Sequence, residues 1–323
     1  MLIRKKRLNN MDEEKKIIPI FFATDDNYIP FLAVSMKSLL DNASKEYFYN
    51  IHILTDGLSD ENINLLKYNM SDNSTLIVDN MNTFVKGIEE DLNESLRDYY
   101  TISIFYRLFI AKKYPEYHKA IYLDCDITVV GDISELYNTE LDGNIFGVVV
   151  DDVIGSVEEF KVYATEGVGV RYDRYFNSGM LVMDLDKYRS EDILNRFIKL
   201  LTTYNFETAA PDQDYLNVLC KDKVKYLDKG WNRMSVDEDF DGKLNLIHYN
   251  NFRKPWYYDN VPYGKYFWEY AKKTNFYDKI LGIKNAFGEE QAEKHIKGAQ
   301  GLVAQTIRVV NSDKNFKKVL FDK

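Results

Sequence analysis

Cysteine and histidine are scarce in this sequence. Only Cys125 and Cys220 occur among 323 residues, together with four histidines, and these residues form no cluster with the spacing of metal ligands. Two cysteines cannot build a disulfide framework, and the missing cluster excludes a structural zinc site. We therefore expect a chain that folds around a hydrophobic core in a reducing compartment, the cytoplasm.

Long apolar runs and linkers are absent as well. No run reaches the roughly eighteen uninterrupted apolar residues that a membrane-spanning helix needs. The basic run from Arg4 to Arg7 is followed by polar and acidic residues, so we expect no signal peptide. The six prolines are scattered, and no proline-rich linker divides the chain.

Basic residues are fewer than acidic residues, with 42 Lys and Arg against 51 Asp and Glu. The net charge is -9, whereas proteins that bind nucleic acid carry a basic face, so we expect no nucleic-acid partner. The distribution is uneven, because residues 1–16 hold six basic and three acidic residues and residues 291–323 hold seven and three. Each basic end is either a solvated tail or a segment weakly attracted to an anionic lipid surface.

Short apolar runs alternate with helical patterns through the first half of the chain, as in βα units with a mainly parallel sheet. The runs predict strands at 17–23, 50–54, 74–78, 119–123, 145–150, 180–183 and 244–247. Helices are predicted at 103–111 and 187–204, and another is predicted from about Asp212. The fold class is therefore α/β, with a Rossmann-like domain.

The pattern changes to sparse helix after about residue 280. We predict a basic tail at 1–16, a main domain at 17–280 and a helical extension at 281–323. One face of the extension is apolar, through Leu302, Val303, Thr306, Ile307 and Val310. This stripe either packs on the main domain or a second subunit, or it lies in a membrane interface.

Five Asp-x-Asp pairs occur, and their context separates them. Only Asp124 and Asp126 end a predicted strand and precede another apolar segment. Asp186 also follows a strand, but a helix begins there, so we predict that Asp186 is its N-cap. Two carboxylates on a turn at the carboxyl end of a strand can bind a divalent cation, and the alternative is an acidic turn without a ligand.

Four ordered blocks carry a resemblance to a known family: 121–126 (IYLDCD), 176–179 (FNSG), 212–217 (DQDYLN) and 248–256 (HYNNFRKPW). With them, residues 17 to 260 resemble glycosyltransferase family 8, the retaining family that includes glycogenin and bacterial lipopolysaccharide galactosyl- and glucosyltransferases. The resemblance implies a GT-A type, Rossmann-like nucleotide-sugar-binding domain with a mixed sheet and a small C-terminal helical extension. It makes 17–280 the catalytic domain.

The resemblance implies a metal site in which Asp124 and Asp126 hold Mn²⁺ or Mg²⁺ and His248 is the third ligand. A neutral imidazole suits manganese, in agreement with this assignment. Of the other histidines, we predict that His52 is structural and that His118 and His295 are exposed.

The resemblance also implies which residues bind the nucleotide sugar. Asp26 and Asn27 belong to the uridine-binding segment, although both are alternatively helix caps. Asn251 stands where the family commonly has glycine, and asparagine is the residue that next best adopts a left-handed turn. The implied donor-binding residues are Ala23, Asp25, Asp26, Asn27, Arg107, Asp124, Cys125, Asn177 and Lys254.

Catalytic roles follow from the same resemblance for Asp212, Gln213 and Lys254. Asp212 accepts hydrogen bonds from sugar hydroxyls, and Lys254 stabilises the departing diphosphate. The Gln213 amide lies beneath the anomeric carbon and is a poor nucleophile, so we favour front-face attack. We place Trp256 near the acceptor, because aromatic rings stack on sugar faces.

The implied activity is the transfer of glucose or galactose, with retention, from UDP-glucose or UDP-galactose to a glycan or a lipid-linked saccharide. We expect a cytoplasmic enzyme, with the C-terminal tail as a candidate for weak peripheral contact with the inner face of the membrane. Two alternatives remain open. One is a self-glucosylating primer like glycogenin, and the other is a non-catalytic module that binds nucleotide sugars.

Overall fold

The computed structural model describes residues 15–92, 102–250 and 252–322. Most of the predicted basic tail, and Asn251, lie outside the described residues. The described strands, in chain order, are β1 (Ile17–Ala23), β2 (Phe48–Thr55), β3 (Ser74–Asn80), β4 (Lys119–Leu123), β5 (Ile127–Val129), β6 (Phe146–Val148), β7 (Met180–Asp184), β8 (Val224–Tyr226), β9 (Arg233–Met234) and β10 (Leu246–His248).

Besides short 3-10 helices at Ile102–Phe105, Tyr172–Arg174 and Lys229–Trp231, the described residues form α-helices. They are α1 (Ile29–Asn42), α2 (Asp60–Lys67), α3 (Asn82–Leu92), α4 (Tyr106–Lys113), α5 (Ile133–Tyr137), α6 (Asp152–Ser156), α7 (Glu158–Val162), α8 (Leu185–Ser190), α9 (Ile193–Tyr204), α10 (Pro211–Cys220), α11 (Gly264–Ala271), α12 (Tyr277–Ala286), α13 (Glu289–Asn311) and α14 (Phe316–Leu320). A π-helical stretch, Tyr163–Val168, continues α7.

The main sheet has seven strands in the order β3-β2-β1-β4-β7-β6-β8. The first four are parallel, β7 is antiparallel to both β4 and β6, and β8 is parallel to β6. Side chains alternate across β1, since Phe21 joins one hydrophobic cluster while Ile20 and Phe22 join the other. Helices therefore cover both faces of a mixed sheet, as predicted.

A second sheet of three strands, in the order β5-β10-β9, positions the site. β5 begins directly after Asp126 and pairs antiparallel with β10, with Ile127 opposite His248. At the end of β4, the Asp124 N–H donates to the Gly179 carbonyl at 2.8 Å. These two pairings bring the Asp-x-Asp turn, the loop before β7 and His248 to one edge of the main sheet.

Some element predictions were wrong in detail. Asp184, rather than Asp186, caps α8, because the Asp184 carboxylate accepts from the Lys187 N–H at 2.8 Å. The single helix predicted at 187–204 is two helices, which a left-handed residue, Asp192, separates (φ 54°). The strand predicted at 145–150 ends at Val148, and Val150 forms only an isolated bridge with Phe176.

The C-terminal helices α13 and α14 pack on the main domain. Thr306, Val309 and Phe316 are each about 1% exposed, and Leu302, Val303 and Val310 pack against the same hydrophobic cluster. Of the apolar stripe, Ile307 faces solvent, with 46% of its surface exposed. Of the two alternatives for the apolar stripe, packing on the main domain is the one that the structure shows. The packed side chains are therefore not available to enter a membrane interface. Among the described residues, no helix is long and apolar enough to cross a bilayer.

Candidate active site

Two carboxylates and one imidazole converge at the end of β4. Asp124, Asp126 and His248 each offer one ligand atom, and these atoms all lie within 4.8 Å of one another. His248 Nε2 lies 3.1 Å from Asp126 Oδ1 and 3.8 Å from Asp124 Oδ2. The structure thus brings together the three residues predicted to bind the metal, which we call the metal-binding triad.

Asn232 orients the imidazole of this triad. His248 Nδ1 lies 3.0 Å from Asn232 Oδ1, and Asn232 Nδ2 in turn donates to Asn177 Oδ1 at 2.9 Å. An amide oxygen facing Nδ1 keeps the proton on that nitrogen, so the lone pair of Nε2 points at the carboxylates. Sequence reasoning missed Asn232, because no local pattern relates it to a histidine on another strand.

The lack of a side chain at Gly179 allows His248 and Asp124 of the triad to approach each other. A Cβ at this position would lie 2.4 Å from His248 Cε1 and 2.5 Å from Asp124 Oδ2. The Gly179 N–H also donates to Asn177 Oδ1 at 2.9 Å. Any side chain here would occupy the space in which the imidazole and the carboxylate meet.

Arg107 joins the carboxylates on the two sides of the site. Its Nη2 lies 2.9 Å from Asp124 Oδ1, and its Nη1 lies 3.1 Å from Asp212 Oδ2 and 2.8 Å from the Ser178 carbonyl. Its guanidinium covers the ring of Tyr122 at 4.3 Å. Burial raises the pKa of Asp212, and the charge of Arg107 opposes that rise. Arg107 is therefore a buried bridge between two site carboxylates.

The Gln213 amide is held at both ends. Its Oε1 accepts from Asn177 Nδ2 at 3.0 Å and from the Ser178 N–H at 2.9 Å, while its Nε2 donates to Asp151 Oδ2 at 3.0 Å. Asp151 is buried, which raises its pKa, and it also caps α6. Asp151 directly follows the apolar run at 145–150, but no motif in the sequence distinguishes it as a site residue.

Lys254 lies beside the triad, where its Nζ contacts Asp126 Oδ2. Burial alone would raise the pKa of Asp126, but the charge of the neighbouring Lys254 holds it well below its usual range. Asp126 is therefore a carboxylate with a cation on one side and an imidazole on the other.

This geometry can be compared with known proteins. A family model described as Glycosyl transferase family 8 matches residues 19–260. The chain belongs to glycosyltransferase family 8. The resemblance stated from the four blocks is thereby confirmed.

Two bacterial proteins illustrate the similarity of this family 8 chain to curated relatives. A putative glycosyltransferase of Haemophilus influenzae is 30% identical over 231 residues, which cover 71% of this chain and 67% of that protein. Glycosyltransferase GlyB of Streptococcus pneumoniae is 29% identical over 272 residues, which cover 75% of this chain and 61% of that protein. The chain thus spans about two thirds of the length of these relatives.

A solved structure supports the fold. The galactosyltransferase LgtC, in complex with donor and acceptor sugar analogs, matches with a TM-score of 0.64 and 26% identity, covering 80% of this chain and 96% of LgtC. The GT-A fold predicted for this family 8 chain is confirmed.

The predicted uridine-binding segment of the family 8 chain is a turn with its own internal bonds. Asp25 Oδ1 accepts from the N–H groups of Asn27 and Tyr28 at 2.9 and 3.1 Å. The Asp26 carboxylate accepts from the Ser59 N–H at 3.0 Å and from Asn62 Nδ2 at 2.8 Å. Neither Asp26 nor Asn27 caps α1, contrary to the cap alternative, and Asp26 instead binds the start of α2.

Cys125 and Ala23 lie against each other. The Cys125 thiol is buried and its Sγ lies 3.3 Å from the Ala23 carbonyl oxygen. Burial raises the pKa of this thiol well above its usual value. The thiol is therefore a packed, protonated group.

Two side-chain predictions for the family 8 chain were wrong. Trp256 is fully buried and stacks on Phe31 with ring centroids 4.0 Å apart, so it belongs to the core and cannot stack on an acceptor. His295 is half-buried in an aromatic cluster rather than exposed. Its ring neighbours are Phe252, Tyr257, Tyr258 and Phe287. The other two predictions hold, since His118 is exposed and His52 is buried between Asp79 and Tyr117.

Asp214 should make the stability of the protein depend on pH. Its buried carboxylate accepts from the hydroxyls of Tyr163 and Tyr175, yet burial raises its pKa from 3.8 to about 7. A raised pKa gives stability that is present below pH 4 and lost as the pH rises through 7, by about 4 kcal/mol at most. In Asp214→Asn this pH-dependent loss should disappear, as measured by denaturant unfolding from pH 4.5 to 7.5.

The matched control for this experiment is Asp222→Asn, which removes an exposed carboxylate. It should keep the slope of the free energy of unfolding against pH. An identical slope in Asp214→Asn and the wild type would mean that Asp214 is ionised throughout this range.

Proposed function

We propose that this family 8 enzyme is a retaining, metal-dependent transferase that moves glucose or galactose from UDP-glucose or UDP-galactose to a glycan or lipid-linked saccharide. The observation that carries the proposal is the convergence of the metal-binding triad with Asp212 and Gln213 at one edge of the sheet. The similarity to LgtC, a galactosyltransferase solved with donor and acceptor sugar analogs, supports the hexose and the saccharide acceptor.

The triad fits Mn²⁺ or Mg²⁺. Two carboxylates offer hard oxygen ligands, and the bond between His248 Nδ1 and Asn232 leaves Nε2 free to act as a nitrogen ligand, which favours manganese. A bound divalent cation would stabilise the negative charge of the diphosphate leaving group.

The protein's own groups would orient the donor sugar. In this proposal, Asp212 accepts from sugar hydroxyls, and the charge of Arg107, 3.1 Å away, opposes the rise in the pKa of Asp212 that burial causes. Gln213 Oε1 already accepts hydrogen bonds from Asn177 and Ser178, which supports an orienting and electrostatic role over a nucleophilic one. Front-face attack with retention of configuration is consistent with this arrangement.

Lys254→Ala should depress turnover more than donor affinity. The Lys254 ammonium beside Asp126 is positioned to meet the charge that grows on the leaving diphosphate, so its loss affects the transition state most. We expect kcat to fall by about ten- to a hundredfold while KM for the donor changes little, as measured by UDP release. An effect confined to KM would contradict the leaving-group role. Lys243→Ala, which removes an exposed lysine paired with Glu135, should leave both constants unchanged.

The proposal is tested by a screen of UDP-sugars for manganese-dependent hydrolysis. Release of UDP from UDP-glucose or UDP-galactose supports the enzyme and identifies the donor. No hydrolysis with any UDP-sugar indicates the non-catalytic module. Intact-mass shifts in sugar-sized steps, without an added acceptor, indicate the self-glucosylating primer.

We also assign the reaction to the cytoplasm, because Cys125 and Cys220 are both free and buried. Since the apolar stripe of α13 is packed, contact with the inner face of the membrane would rest on the basic residues of the tail. Sedimentation with anionic liposomes that is abolished by salt would support such contact, and no sedimentation at low salt would contradict it.

A further inference from the structure

A cavity of about 220 Å³ opens beside the metal-binding triad and has walls of two kinds. One wall is polar and contains Asp151, Asn177 and Gln213 together with the triad. The other wall is largely apolar, and its side chains are Val153, Ile154, Phe160, Leu302 and Thr306. A ligand that fills this cavity must therefore carry both polar groups and an apolar surface.

The apolar wall includes a part of the chain that the family match does not reach. Leu302 and Thr306 belong to α13, whereas the match ends at residue 260. The position of α13 is well fixed, because Thr306 and Val309 are buried and Gln305 Nε2 donates to the Thr208 carbonyl at 3.0 Å.

The hydrogen bond from Gln305 to Thr208 connects α13 to the loop before α10, the helix that contains Asp212 and Gln213. Thr208 lies in the loop before α10, and the next two residues of that loop, Ala209 and Ala210, line the cavity. Gln213 follows in the first turn of α10 and supplies the polar wall. One continuous stretch of backbone, from Thr208 to Gln213, thus connects the residue that α13 contacts with three lining residues of the cavity, Ala209, Ala210 and Gln213.

The apolar wall is unsuited to the donor. A diphosphate and a uridine carry charged and polar groups, for which the triad, Lys254 and Arg107 are the matching partners. The cavity is also smaller than the roughly 300–1,000 Å³ of sites for drug-sized molecules, so only part of a saccharide substrate enters it. In the proposed function, Asp212 and Gln213 hold the hexose of the donor, so the apolar side chains are left for the remaining substrate of a glycosyl transfer, the acceptor.

We propose that α13 is the acceptor-selecting wall of this cavity, in which Leu302 contacts an apolar group carried by the acceptor sugar while Asp151 and Gln213 face its hydroxyls. The preferred acceptor class is a glycoside with an apolar aglycone. This inference rests on the proposed function, and it adds that specificity depends on a helix outside the matched domain.

The test compares two acceptors that differ only in the aglycone, the methyl and p-nitrophenyl glycosides of glucose and of galactose. The measured quantity is the ratio of kcat/KM for the p-nitrophenyl glycoside to that for the methyl glycoside, at saturating donor and manganese. We expect a ratio well above one in the wild type and a ratio about tenfold lower in Leu302→Gln, because the variant puts an amide where the apolar aglycone binds. Leu302→Ala, a milder change at a half-buried helical position, should lower the ratio severalfold.

Ile307→Gln is the matched control, since Ile307 lies on the same helix with 46% of its surface exposed and is not part of the cavity. It should keep the wild-type ratio, and circular dichroism melts establish which variants are folded. An unchanged ratio in either folded Leu302 variant overturns the inference, as does a wild-type ratio near one.

Two measurements keep this result separate from the proposed function. Hydrolysis of UDP-sugars by the wild type, without an acceptor, tests the function alone. Binding of the two glycosides, measured by ligand-observed NMR with UDP and manganese present, gives the preference without turnover. Hydrolysis with no aglycone preference overturns only the selecting role of α13, whereas preferential binding without hydrolysis overturns only the proposed function.

Discussion

Asp126→Ala should lower the turnover of the UDP-sugar by about a hundredfold or more. The variant removes one of the two carboxylates of the metal-binding triad and leaves His248 Nε2 without its 3.1 Å partner and Lys254 without its contact. The stabilisation of leaving-group charge by a metal is worth several kcal/mol, and each 1.4 kcal/mol or so corresponds to a factor of ten in rate. UDP release measured across a manganese titration gives the result.

Asp241→Ala provides the matched control, because Asp241 also belongs to an Asp-x-Asp pair but is exposed. It should retain full turnover and the wild-type manganese dependence. Wild-type turnover in Asp126→Ala would remove the triad from the mechanism.

Gly179→Ala should also nearly abolish manganese binding and turnover, although it adds only one methyl group. The new Cβ would lie 2.4 Å from His248 Cε1 and 2.5 Å from Asp124 Oδ2, so one of the two ligands must move. Neither moves easily, because Asn232 holds the imidazole and Arg107 and Tyr122 both bond to Asp124. A displacement of about 1 Å in a catalytic group costs on the order of a hundredfold in rate.

Gly155→Ala tests whether any glycine-to-alanine change has this effect. Gly155 lies in α6, and a Cβ there would meet no atom within 4 Å. Calorimetric titration with Mn²⁺ should give wild-type affinity for Gly155→Ala and strongly reduced affinity for Gly179→Ala. Equal affinities for the two variants would show that the triad tolerates the methyl group.

The sequence was sufficient for the parts of this protein that depend on local pattern. The apolar runs of β1 and β4 are buried on both faces of the sheet, so they stand out as strands, and the Asp-x-Asp turn after β4 could be placed at the carboxyl edge. His248 was predicted as a metal ligand from the family resemblance that the four ordered blocks carry. The position of His248 beside Asp126 depends on the pairing of β5 with β10, which no local sequence pattern indicates.

The residues that were missed depend on convergence in space. Asn232 orients His248 across two strands, Asp151 binds Gln213 from another loop, and Gly179 matters only because two side chains meet above it. The prediction that Trp256 lies near the acceptor was wrong for a different reason. The aromatic ring of Trp256 lies in the block 248–256, which suggested a contact with a sugar. The ring instead stacks on Phe31, where its burial stabilises the hydrophobic core.

The pairing of β5 with β10 also has a consequence for the order in which the molecule assembles. Asp126 and His248 are more than a hundred residues apart in sequence, and the triad exists only while these two short strands are joined. Contacts between such distant residues bear a large loop-closure entropy and form late in folding. A cation that binds across this pairing would link the stability of the second sheet to the concentration of free metal, because its ligands join two segments of the chain that are more than a hundred residues apart.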